Sequence, residues 1–138
     1  KKKEGDRMEH LMEYIRPVNA AIGGLIGWFI GGNDSLLYAL IAFVVVDYIT
    51  GVLCAVIEKN LASAIGFRGI FQKVMIFLLV GIANVLDTKI LGAGAMLRSA
   101  VIFFYIANEG ISILENAGRM GLPIPEKLKA VFRQLKDK

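Results

Sequence analysis

Reactive side chains are scarce in this 138-residue chain. A single cysteine, Cys54, excludes an intramolecular disulfide. It lies in an apolar run, where a free thiol packs as a small hydrophobe. The only histidine, His10, sits near a charged terminus, so neither a Cys/His metal cluster nor a His-based triad can be assembled. There is no phosphate-binding glycine loop, and no pair of carboxylates in a loop suited to acid–base work. The expectation is a chain without catalytic, cofactor or metal sites, and not an enzyme.

Charge is also thin, at 20% of residues, against 56% hydrophobic residues and a mean hydropathy of +0.60. A soluble core of this size is interrupted more often by polar faces, so the composition reads as an all-α integral membrane protein. The net charge of +4 is concentrated at the ends, in KKKEGDR and PEKLKAVFRQLKDK. Charges flanking membrane spans explain this placement more simply than nucleic-acid binding does. Met8 opens MEHLMEYIRP, so residues 1–7 read either as an addition ahead of a natural start or as a native basic tail. Lys1–Lys3 before an apolar run resemble a signal peptide, but no small-residue cleavage site follows, and an uncleaved first span is expected.

Four apolar segments stand out, at residues 17–32, 36–57, 70–86 and 91–113, between a basic segment 1–16 and a tail 114–138. A span needs about 20 apolar residues, which the second segment meets most comfortably. GGNDS (31–35), the stretch 58–69 and DTKI (87–90) read as the connections. With four spans and both termini cytoplasmic, all but two of the 16 Lys and Arg, namely Lys89 and Arg98, lie inside.

The spans are not uniformly apolar. At 100° per residue, Arg98, Tyr105, Asn108, Glu109, Ser112, Glu115, Asn116 and Arg119 fall on an arc of roughly 120°. Asp47, Thr50, Gly51, Cys54 and Glu58 share a face of the second span, and Lys73, Asn84 and Asp87 a face of the third. Counting depth at about 1.5 Å per residue suggests two pairs, Asp47–Arg98 and Lys73–Glu109. The stripes are expected either to satisfy one another inside a bundle, or to face one another between subunits and line an aqueous opening.

Gly23, Gly27 and Gly31 form GxxxGxxxG beside Ala20 and Gly24, a pattern that lets helix backbones approach closely; Gly51 adds a small residue on the second span. After Pro123 and Pro125, Leu128, Val131, Phe132 and Leu135 recur at helical spacing among Lys127, Lys129, Arg133 and Lys136. This basic amphipathic helix is expected to lie on an anionic leaflet or to pack against another tail.

DYITGVLCA (47–55), SAIGFRGIFQK (63–73) and FFYIANEGISILENAGRMGLPIPEKLK (103–129) together resemble the toxin-secretion/phage-lysis holin family (phage holin family 4 type) of Gram-positive bacteria and their phages. The last stretch is the most specific, because ENAGRMGLPIP has no generic helical reason to exist. Asp47, Gly51, Ser63, Gly66, Gly69, Lys73, Tyr105, Glu109, Ser112, Glu115, Asn116, Gly121, Pro123 and Pro125 match the family by position. The resemblance implies a small inner-membrane protein that accumulates, homo-oligomerises and opens lesions. An endolysin, or a toxin in some relatives, then crosses, ending in lysis or release. A small-oligomer ion channel and a membrane scaffold that recruits a soluble partner are the alternatives, and neither involves nucleic acid or a cofactor.

Overall fold

The computed structural model describes residues 2–60, 62–92 and 94–137. It is helical throughout its regular elements: α1 (Lys2–Ile30), α2 (Ser35–Ile57), α3 (Ser63–Val85), α4 (Met96–Arg119) and α5 (Glu126–Lys136). A π-helical segment, Leu86–Leu91, continues α3. Among the described residues, three helices are long and apolar enough to cross a membrane: Ser35–Ile57, Gly66–Leu91 and Met96–Arg119.

Several boundaries move from those expected. The apolar stretch 17–32 is the second half of one continuous helix, because Pro17 is accommodated within α1 and helix-compatible residues precede it. The third helix begins inside the expected 58–69 connection, at Ser63. DTKI is not a loop but the widened turn that prolongs α3, and it ends at Gly92, in the left-handed region at φ 59°. α4 starts later than expected, at Met96, and its helix continues past residue 114 to Arg119.

Helix ends are specified by local chemistry. At the end of α1, Gly32 N–H bonds Gly27 O (2.8 Å) and Gly31 N–H bonds Trp28 O (3.3 Å). This double bond pattern needs a left-handed residue just past the helix, and Gly31 supplies it at φ 90°. Gly31 therefore terminates the helix, and side chains of α3 and α4 close on it: a Cβ there would come 2.4 Å from Asn84 Oδ1 and 2.8 Å from Arg98 Nε. Three residues on, Asp34 caps α2 by accepting from Leu37 N–H at 2.8 Å. α4 ends as α1 does, with Gly121 at φ 90° and Leu122 N–H on Ala117 O at 3.1 Å. Pro123 then prevents continuation. α2 closes in the same way, but with Lys59 as the left-handed residue (φ 53°). Pro125 takes the capping position ahead of α5, one residue before the first helical position expected for it.

α2, α3 and α4 form a bundle around Leu40, Val44, Ile76, Val80, Ile102 and Ile106. α2 and α4 run parallel: Asp34 meets Arg98 at one end and Glu58 meets Arg119 at the other. α3 runs antiparallel to both. Residues 3–26 of α1 are exposed, and α1 joins the bundle through its last turn, where Phe29 lies against Gly81.

Candidate functional site

The apolar core is small, and polar residues extend it. Asp47 of α2, Lys73 of α3 and Glu109 of α4 meet where the three spans converge. The Lys73 ammonium donates to Asp47 Oδ2 and to Glu109 Oε2, so one cation serves two carboxylates. Only 4% of the Glu109 side chain is exposed, against 18% for Lys73. A lone ionised group at mid-bilayer costs about 2.5–3.5 kcal/mol on insertion scales, and a charge partner on each neighbouring helix offsets that cost. The expected Lys73–Glu109 pair is present. Asp47 pairs with Lys73 rather than with Arg98, because the long lysine stem reaches both acids from α3.

Toward the Arg119 end, neutral groups continue the contact between α2 and α4. Asn116 Nδ2 donates to Thr50 Oγ1 at 3.0 Å and approaches Asp47 Oδ1 at 3.5 Å. Cys54 is buried, and its Sγ donates to Asn116 O at 3.2 Å. Gly51 lies opposite: a Cβ there would come 3.8 Å from Asn116 Nδ2. Arg119 closes the series with bonds to both Glu58 oxygens, at 3.0 and 2.5 Å. The stripes of α2 and α4 therefore face each other within one chain.

Arg98 belongs to a second cluster, at the opposite end. Its Nε donates to Ile30 O (2.6 Å), Nη2 to Gly32 O (3.1 Å) and Nη1 to Asp34 Oδ2 (2.6 Å). Asn84 Nδ2 donates to Trp28 O and Phe29 O, at 3.2 and 3.1 Å. The last carbonyls of α1 are thus clasped by a cation and an amide, the favourable sign at a helix C-terminus. Asp87, fully buried, does the converse for α4 by accepting from Leu97 N–H (3.0 Å) and Arg98 N–H (2.8 Å). Among the described residues, no buried side-chain nitrogen or oxygen lacks a partner.

Asp34 was not visible as a site residue from the sequence, since a turn Asp before a helix reads only as a cap. Its bonds from Arg98 and from Leu37 N–H hold its carboxyl below its ordinary value of 3.8. A depressed folded-state value means the contribution is present above that ordinary value and is lost as pH falls through the lower one. Acid titration of stability should therefore flatten at its low-pH end in Asp34→Asn, which keeps the cap but not the charge. An unchanged profile would remove Asp34 from the linkage.

The other expected site residues divide. Ser112 lines a cavity of about 340 Å³ together with Asp47, Lys73, Asn116, Arg68 and Arg119. Tyr105 and Asn108 line another, of about 650 Å³, with Lys73, Glu109, Phe67 and Phe71. Lys73 lines both, so the central cluster borders two cavities. Glu115 is exposed and joins neither cluster. Gly23 and Gly27 have nothing within 4 Å of a would-be Cβ among the described residues. Pro123, Pro125, Lys127 and Arg133 are exposed, and Lys129 pairs with Glu126 at 3.0 Å. Among the described residues, no group of three or more His, Cys, Asp or Glu side chains is placed to hold a metal ion.

Comparison with known proteins identifies relatives by sequence. A model of the bacteriophage holin family matches residues 24–137. An uncharacterized 14.9 kDa protein of Clostridium perfringens is 42% identical over 131 residues, covering 95% of this chain and 99% of the relative. The Listeria monocytogenes protein Lmo0128 is 49% identical over 107 residues, 78% of this chain and 76% of its own. A probable holin of Bacillus phage phi105 is 38% identical over 97 residues, 70% of this chain and 71% of its own. No solved structure matches the chain.

Proposed function

Because the chain belongs to the bacteriophage holin family, we propose that it acts as a non-enzymatic lesion former. It self-associates in the bacterial cytoplasmic membrane and opens large, non-selective holes through which an endolysin, or a secreted toxin, crosses to end in lysis or release. The observation that carries this reading is the sharing of Lys73 between Asp47 and Glu109 across three spans. Dry, these groups satisfy one another inside a subunit. Wetted, each is solvated separately, so the same helices can part toward water in a way that a purely apolar core resists. A resting bundle and a water-lined assembly thus use one set of residues.

The topology that supports it has both termini in the cytoplasm, with the apolar half of α1 as a fourth, short span. The Lys and Arg placement favours this, and so does the parallel course of α2 and α4, which puts their last turns on one side. The unoccupied Gly23 and Gly27 face of α1 then supplies a contact between subunits.

Co-expression with an endolysin that lacks its own export signal tests the proposal. Abrupt lysis should require both proteins, and Glu109→Gln should shift its onset or the size of the oligomer. Continued growth with the protein in the membrane and active endolysin in the cytoplasm would refute the reading. Unchanged onset and oligomer size in Glu109→Gln would remove that carboxylate from the mechanism.

A further inference from the structure

The basic tail helix does not extend away from the bundle. α5 doubles back along α4, which it follows antiparallel. Leu128 and Phe132 meet Gly110, Ile113 and Leu114 around an apolar cavity of about 290 Å³. The Phe132 ring stands edge-on to Phe43 of α2, with centroids 5.8 Å apart. Gly110 makes this seat, since a Cβ there would come 2.5 Å from the Phe132 ring. Farther along, Lys136 Nζ lies 5.4 Å from the centre of the Phe104 ring. Phe104 is about two turns from the Met96 end of its span and about four from the Arg119 end. The tail therefore covers the middle of a membrane-crossing helix.

That position conflicts with lipid. Lys127 and Arg133 are exposed, and Lys136 is exposed too although its ammonium reaches the Phe104 ring. Charged side chains alongside a span at this depth cannot face acyl chains without a large penalty. Lys136 is about 12 Å from the nearer end of α4, farther than a lysine stem reaches by snorkelling. No residue of α5 is fully buried, so its apolar contact is shallow and exchangeable. Gly121 and the two prolines join it to α4 as a defined turn rather than a continuous helix.

We propose that α5 is a lumen-side strap. It seats against α4 only where that face of the bundle meets water, and it leaves the seat for the anionic membrane surface where the face meets lipid. The inference rests on the lesion-forming reading, because water at that depth requires an aqueous opening. It assigns the lumen-facing side of each subunit to the α4–α5 face, with the basic residues of α5 lining the opening.

The test uses the full chain with Cys54→Ser, which keeps a donor to Asn116 O, and with Phe104→Cys and Lys136→Cys. The protein is reconstituted in phosphatidylethanolamine–phosphatidylglycerol liposomes loaded with a folded reporter protein, then treated with a short bifunctional maleimide. Intramolecular cross-linking should be about tenfold or more higher in liposomes that have released the reporter than in sealed ones, given the penalty for charge in lipid. A fluorophore on residue 136 alone should be quenched by iodide in leaking liposomes and not by brominated acyl chains. Leu114→Cys with Leu128→Cys reports the same seat if the first pair misfolds. Equal cross-linking in sealed and leaking liposomes, or quenching by brominated chains in leaking ones, overturns the strap and leaves the lesion reading standing. No reporter release at any protein-to-lipid ratio overturns the lesion reading, and the strap with it.

Discussion

Replacing Lys73 with methionine should destabilise the folded bundle by about 3–5 kcal/mol, because it leaves two buried carboxylates facing each other without their shared cation. Reversible unfolding in mixed detergent micelles reads this directly. The stability should return when the acids are removed as well, in Lys73→Met with Asp47→Leu and Glu109→Met. Buried ion clusters replaced by apolar groups of similar volume are often as stable as the original or more so. Lesion formation should not return in that triple variant, because nothing remains at the convergence of α2, α3 and α4 for water to solvate. A triple variant that is both stable and fully lytic would mean that the cluster serves folding alone.

The second large effect concerns Arg98, which is 2% exposed and uses three of its nitrogens on α1 and on the turn that follows. Arg98→Ala leaves Ile30 O and Gly32 O without partners and Asp34 without its counter-charge. We expect a loss of about 2–4 kcal/mol, mostly from the carbonyls left unpaired, concentrated at the junction of α1 with the bundle. Hydrogen exchange should accelerate first at Gly31, Gly32 and the opening turn of α2. Arg98→Lys should restore little, since a single ammonium cannot reproduce the geometry of a three-way guanidinium contact. Exchange that speeds up uniformly across α2, α3 and α4 would contradict the clasp.

What could be read from the sequence follows from what has a period. The stripes on α2 and α4 were legible because polar residues recur at 100° intervals on otherwise apolar helices, and in the fold those two stripes meet. Lys73–Glu109 was legible by depth. Asp47–Arg98 was not, because depth along a helix says nothing about how far a lysine stem reaches. Nor did it show that Asp34, in the turn, is the carboxylate that pairs with the Arg98 guanidinium. GGND carried two signals at once, a left-handed glycine end and an aspartate cap, and only together do they place Asp34 beneath the guanidinium.

Other features left no pattern to find. DTKI has a turn composition, yet α3 continues through it by widening its hydrogen bonding, and Asp87 within it caps a helix that begins farther on. The seat for Phe132 is made by the absence of a side chain at Gly110, and an absence carries no periodicity. GRMGLPIP was legible as a helix end, since glycine and proline act locally. Where the chain goes afterwards depends on packing between residues distant in sequence.

Release of graded cargo from liposomes tests the central claim most directly. Purified protein reconstituted in sealed vesicles should release a small fluorescent dye and a folded protein of endolysin size together, once a threshold protein-to-lipid ratio is passed. Dye or ion leakage with complete retention of the folded protein at every ratio would contradict the account and identify a narrow channel instead.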